Sequence, residues 1–212
     1  MSVHHVARLF AFGALAILAQ RAIAAPDAPA LIAGFARAAP ASIAFTEARF
    51  SSLLREPLVV SGELSYRGPG NLERRVTEPY RETTAIRGDS VSVEREGEEP
   101  RTFAMQRAPE LKGLLSAFGS LLAGDAPALM KAFAVTASGD DAVWRLELTP
   151  IDSRARRRLR AIVIDGSGAE PRCFTTLDTQ GGGSVMLVGA AAAAPVASDA
   201  SLDGLLAECG TE

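Results

Sequence analysis

The sequence predicts a mostly β protein with helices, a half-open antiparallel β-barrel of about eleven strands covered by about three helices. Three observations predict it. Short alternating segments follow one another through tight turns, which is the pattern of an antiparallel meander and not of βαβ units. Helix-period segments are confined to the start and the middle of the mature chain, so the strands fall into two runs. The middle helix carries a face too apolar to stand in water, and the sheet is the surface available to bury it.

The elements follow in order. Residues 28–39 carry Leu31, Ile32 and Phe35 among alanines and read as a first helix ended by Pro40. Residues 42–50 form a strand with Ile43 and Phe45 on one side. In residues 58–66, Leu58, Val60, Leu64 and Tyr66 share one face, opposite Ser61, Glu63 and Ser65, as expected of a half-buried strand. Arg67-Gly68-Pro69-Gly70-Asn71 is a turn by composition. A partner strand, 72–77, places Leu72 and Val76 on one face before Pro79 breaks it. Residues 80–86 make the next strand, Arg87-Gly88-Asp89 a tight turn, and Val91 and Val93 mark another strand. A charged tip at 94–100 leads into 101–106, with Phe103 and Met105. After the helices, strands resume at 132–137, 143–148, 159–164, 173–177 and 184–188, the last two joined by Gly181-Gly182-Gly183. From Ala190 the chain is alanine-rich and reads as a flexible tail over 190–212, with at most one or two amphipathic turns over 201–207.

The middle helix spans residues 109–122. Leu111, Leu114, Leu115, Phe118, Leu121 and Leu122 recur at three- and four-residue steps. Pro109 suits the first turn, Glu110 favours the positive end of the helix dipole, and Gly124 supplies the stop. Burying one such side chain contributes roughly 1.5–3 kcal/mol, so the face as a whole must be covered. A second short helix is expected over 127–133, with Leu129, Met130 and Phe133.

Residues 1–24 read as a secretory signal peptide. Arg8 precedes an uncharged apolar run from Leu9 to Ala19, and Ala22-Ile23-Ala24 gives a small-x-small cleavage site. The run is too short to span a bilayer. The expected organisation is therefore 1–24 signal, 25–189 one folded domain, and 190–212 tail. Both histidines, His4 and His5, would leave with the signal, which removes imidazole catalysis and His metal sites. Cys173 and Cys209 either pair in an oxidising compartment or remain two free thiols. Mixed charges summing to −3 give no reason to expect nucleic acid, and no cofactor or metal is expected.

A meander long enough to curl, closed on one side by helices, encloses an apolar interior. Its strand faces are Leu58, Val60, Leu64, Tyr66, Leu72, Val76, Ile86, Trp144, Leu146 and Leu148, and its lid face is Leu114, Leu115, Phe118, Leu121 and Leu122. Periodicity does not distinguish a hollow from a filled core.

The order of elements and an ordered set of short motifs resemble the outer-membrane lipoprotein carrier family, the LolA-like periplasmic chaperones. The motifs are Phe45-Thr46, Ser61-Gly62-Glu63-Leu64, Tyr66-Arg67-Gly68-Pro69-Gly70-Asn71-Leu72, Pro79, Arg87-Gly88-Asp89, Leu148-Thr149-Pro150 and Ile164-Asp165-Gly166. Leu121-Leu122-Ala123-Gly124-Asp125 and the Leu146-x-Leu148-Thr149-Pro150 ending resemble a branch that occurs with aryl-polyene or polyketide-like lipid pathways and large lipid exporters. The resemblance implies a hollow that shelters acyl chains of a lipid or lipidated cargo, taken from an inner-membrane exporter and given to an outer-membrane acceptor. It implies a monomeric periplasmic carrier and no enzyme. A lipid sensor of the same fold, signalling to a membrane partner, is the other reading. The family often has a basic residue directly before the strand-ending proline, tied to lid closure. That place is Gly68 here, and Arg67 takes the lid-control role only if a bulge re-aims it.

Arg154, Arg156, Arg157, Arg158 and Arg160 form the sharpest charge run. It is either a solvated strand edge or a contact for anionic headgroups or an acidic partner. Ser61 has no base near it in sequence, and Glu63 and Glu73 are not singled out as a carboxylate pair.

Overall fold

The structure is a computed structural model that describes residues 26–105, 117–140 and 142–210. The expected signal peptide, Leu111, Leu114 and Leu115 lie outside the described residues. Helix α1 (Ala28–Gly34) starts at Asp27, whose carboxylate accepts the Ala30 N–H. It ends earlier than its composition suggests, because Phe35 turns inward to meet the Trp144 ring at 5.0 Å. Strands β1 (Ala41–Phe50), β2 (Leu58–Tyr66), β3 (Asn71–Glu78), β4 (Glu82–Arg87), β5 (Ser90–Arg95) and β6 (Arg101–Ala104) form the first run. Residues 117–122 are helical (α2) and are followed by α3 (Ala126–Ala132). The second run is β7 (Phe133–Gly139), β8 (Val143–Pro150), β9 (Leu159–Ser167), β10 (Glu170–Asp178) and β11 (Gly183–Val188).

Among the described residues all eleven strands belong to one sheet in the order β6-β5-β4-β3-β2-β1-β11-β10-β9-β8-β7. Every neighbouring pair is antiparallel, and β1 joins the two runs by pairing with both β2 and β11. The sheet stays open between β6 and β7, and it curls so that both runs face one continuous apolar core. Each strand-face residue named from the sequence lies in or against that core.

Two glycines shape the curl. Gly62 sits at a register shift of β2 against β3, where a Cβ would lie 1.8 Å from the Arg75 carbonyl oxygen. Gly166 lies opposite Trp144 on β8, and a Cβ there would lie 2.0 Å from the indole. The missing side chain lets Trp144 lie flat on the sheet and donate its Nε1–H to the Gly168 carbonyl at 2.8 Å.

The alanine-rich tail is corrected by the structure: residues 190–210 pack on the convex face of the sheet. Thr46 holds the 3-10 turn Gly189–Ala193 by donating to the Ala192 carbonyl. Helix α4 (Leu202–Cys209) starts at Ser201, which caps Gly204, and it buries Leu205 and Cys209. Leu205 and Cys209 join Ala48, Cys173 and Val185 in a second core, while Leu202 and Leu206 lie against Ala161, Val163 and Leu177. Cys173 and Cys209 form a disulfide that closes the tail onto β10. The cause is visible in β9 and β11. Ala161-Ile162-Val163-Ile164 and Val185-Met186-Leu187-Val188 are continuous apolar runs, so both faces need cover.

A thiol assay should find no free cysteine without reductant and two after unfolding in dithiothreitol. Replacing both cysteines by serine should lower stability by about 2–4 kcal/mol in urea unfolding, from the chain freedom returned to the unfolded state. A full thiol titre on the untreated protein would refute the pairing.

Candidate functional site

The concave side of the barrel holds a cavity at one end. Leu64 and Tyr66 of β2, Leu72 of β3, Ile164 of β9, Phe174 of β10 and Val188 of β11 form its walls. Phe118, Leu121 and Leu122 of α2 form its roof, with Phe35 behind α1. About 120 Å³ is open to the centre of a water-sized sphere, roughly eight times what one water needs. The walls come from both runs, and the Phe118 and Phe174 rings meet at 4.4 Å across the space. A cavity with this lining is suited to hydrocarbon, since its walls offer few partners to a polar guest.

The roof is seated by its own termination signals. Gly124 adopts φ 65°, and the Asp125 N–H returns to the Ser120 carbonyl, ending α2 in a left-handed turn. A Cβ at Gly124 would lie 3.0 Å from the Ala36 Cβ, so this turn can rest on the segment after α1 only as glycine. Asp125 then caps α3 by accepting the Ala128 N–H.

Arg37 stands at the mouth and was not singled out in the sequence. Its backbone N–H donates to the Leu122 carbonyl at 2.9 Å, joining the N-terminal segment to the roof. Its guanidinium reaches Glu170 at 3.0 Å and the Ala169 carbonyl at 3.4 Å on the β9–β10 turn. The ion pair is half-exposed and contributes little alone. Its position matters more, because one residue ties roof, α1 end and barrel rim together. Arg67, two residues before Pro69, does not do this. Arg67 is exposed, with no ion pair among the described residues. The register of β2 against β3 is unbroken from Gly62 to Tyr66, so no bulge at this end of the strand turns Arg67 inward.

Among the residues named in advance, Leu64, Tyr66, Leu72, Phe118, Leu121 and Leu122 border the cavity. Leu58, Val60, Val76, Ile86, Trp144, Leu146 and Leu148 do not. They lie in or against the core on the rest of the concave side, and α1 and α3 descend onto it at β7. Arg154, Arg156, Arg157, Arg158 and Arg160 are exposed and lie at the opposite end of the barrel from the mouth. They therefore do not reach a guest in this cavity.

A line of charges closes the concave face below the apolar part. Glu47 of β1 accepts from Arg74 of β3 and from Arg49 at 3.0 Å. Glu82 of β4 lies 3.9 Å from Arg74 and 2.5 Å from Arg95, which also meets Glu98 at the charged tip. The Arg74 and Arg95 guanidiniums lie over the rings of Phe45 and Tyr80 at 4.7 and 4.9 Å. Glu47 is buried, and burial alone would raise its pKa. The charges of Arg74 and Arg49 and their hydrogen bonds outweigh this and hold the carboxylate below its ordinary 4.5. Its contribution is thus complete above that value and lost as pH falls through the lower folded-state pKa. Glu47→Gln should cost about 3 kcal/mol at pH 7 in urea unfolding, and the gap to wild type should narrow steadily below pH 4.5. Equal stabilities at pH 7 would show that the line contributes nothing.

Among the described residues no cluster of His, Cys, Asp and Glu is arranged to hold a metal, and no helix is long and apolar enough to cross a membrane. No curated protein matches the chain. Two solved structures are similar at low identity. A LolA superfamily protein of Nitrosomonas europaea is 14% identical, with 78% of this chain and 92% of that one covered at a TM-score of 0.41. LprF of Mycobacterium bovis is 11% identical, with 84% and 99% covered at a TM-score of 0.34. A family profile described as "Outer membrane lipoprotein carrier protein LolA-like" matches residues 20–209, nearly the whole described chain and its packed tail included. By that match, the chain belongs to the LolA-like outer-membrane lipoprotein carrier family.

Proposed function

We propose that this protein is a periplasmic carrier that shelters the acyl chains of a lipid or lipidated cargo and moves it from the inner toward the outer membrane. The observation that carries the reading is the apolar cavity under α2, walled by both strand runs and latched at its mouth by Arg37. Each buried CH₂ of an acyl chain contributes about 0.8 kcal/mol, so a chain crossing water gains from such a shelter. Family membership supports binding of lipid or lipoprotein. On this reading an inner-membrane exporter loads the cavity, an outer-membrane acceptor empties it, and the carrier travels as a monomer after its signal peptide is removed. No catalytic step is assigned. Loading requires α2 to lift, and a partner that binds the lifted state better drives it.

Mass spectrometry of an organic extract from protein purified gently from periplasm should return one lipid class enriched over the membrane extract. The empty protein should take up N-phenyl-1-naphthylamine with a rise in fluorescence. Leu64→Glu, which puts a carboxylate in the cavity wall, should weaken uptake about tenfold or more. Leu146→Ala, in the packed part of the core, should cost about 2–5 kcal/mol of stability and leave uptake by the folded protein unchanged. Arg37→Ala should speed exchange of the bound probe. A lipid-free extract together with no probe uptake by the wild type would end the carrier reading.

A further inference from the structure

Among the described residues, the large apolar side chains standing in solvent are Leu53 at 92% exposure, Ile151 at 50%, Leu54 at 45% and Met130 at 41%. They are not scattered. Strand β1 ends at Phe50 opposite Gly183, so the loop holding Leu53 and Leu54 lies at the end where β11 begins. Strand β8 ends at Pro150 opposite Phe133, which places Ile151 and the last turn of α3, with Met130, at that same end. The Ile151 N–H donates to the Ala132 carbonyl at 3.0 Å, fixing the two together. The β10–β11 turn bridges the two loops. Thr179 donates its N–H to the Arg158 carbonyl and its hydroxyl to the Arg157 carbonyl, while Gly182 lies directly under the Phe50 carbonyl. At the usual strand spacing this rim runs about 20 Å from β1 to β8. The cavity mouth is at the other end, beside Ala41, Tyr66 and Glu170.

Arginines fence the apolar tips. Arg55 follows Leu54, and Arg154, Arg156 and Arg157 follow Ile151, all exposed. The acids of these two loops are Glu56 and Asp152. Asp152 is engaged with its own loop, accepting the N–H groups of Arg154 and Ala155 at 2.9 Å. The part of the rim from β1 to β8 is therefore net positive, with apolar side chains projecting from separate loops, while Glu78 and the acidic 94–99 tip lie beyond β2 on the β3–β6 part of the same end.

We propose that the β1–β8 rim docks on an anionic lipid bilayer, Leu53, Leu54 and Ile151 entering the headgroup layer while Arg55, Arg154, Arg156 and Arg157 meet lipid phosphates and the acidic 94–99 tip is tilted away. An apolar layer just beneath a plane of negative charge is the complement of this rim. A protein partner would instead favour one continuous apolar patch with a polar border. Docking in this pose leaves the cavity mouth facing away from the membrane, free for exchange with a protein. The inference stands apart from the carrier reading, since an empty protein would dock as well.

The test is flotation of the exported, purified protein with vesicles of phosphatidylcholine alone and with about one third phosphatidylglycerol. The protein should float with the anionic vesicles at least tenfold better than with neutral ones, and about 0.5 M salt should remove that preference. Arg154→Glu/Arg156→Glu/Arg157→Glu and, separately, Leu53→Ser/Leu54→Ser/Ile151→Ser should each reduce binding about tenfold, with probe uptake into the cavity unchanged. Leu53→Trp should show a blue-shifted emission on anionic vesicles only, against the constant signal of the buried Trp144. No binding to either vesicle would overturn the proposal. So would binding that the apolar triple variant leaves intact, which would mark a basic patch for an acidic protein.

Discussion

An antiparallel sheet that curls without closing has one unavoidable debt: an apolar concavity wider than its own side chains can fill. In this protein that debt is met in three ways along one barrel. Where α1 and α3 descend, Trp144, Leu146 and Leu148 pack solid, with Gly166 making room for the indole. Where no helix among the described residues covers the lower ends of β1, β3, β4 and β5, the Glu47–Arg74–Glu82–Arg95 line replaces hydrocarbon with charge. Between them, under α2, a space is left over, and that leftover is the candidate site. The cavity is thus what remains after the packed and the charged regions have taken their shares.

The opposite surface of the sheet obeys the same rule from outside. The strands around the β1–β11 seam are apolar at both parities and would be poorly soluble with one face bare. The tail covers them and is tied down by a covalent bond and the Ser201 cap. Sheet centre and tail are therefore joined by packing and by a covalent bond, a cover that the run from β3 to β6 does not share with the tail.

The strand order, the turns at Gly68–Asn71 and Gly88, and the apolar faces of β2, β3 and β8 were all legible in the sequence, because period and turn chemistry are local signals. The hollow was not. Leu64 and Leu148 look alike along the chain, and only the descent of distant helices decides which one meets empty space. The tail was misread because alanine-rich composition outweighed the doubly apolar strands that required a cover. Arg37 was missed because its role depends on Leu122 and Glu170, which lie far from it in sequence and meet it only in the fold. Arg67 stands exposed because it follows the inward-facing Tyr66 by one residue, and one residue of offset along a strand reverses the side of the sheet.

The path of the chain across the opening carries a further consequence. The backbone leaves one free edge at β6, passes through α2 and α3, and enters the other free edge at β7. Roof and margins are one continuous thread. The roof is tethered to the β7 margin by α3 alone, with only residues 123–125 between the two helices, so α2 and that margin are bound to move as neighbours.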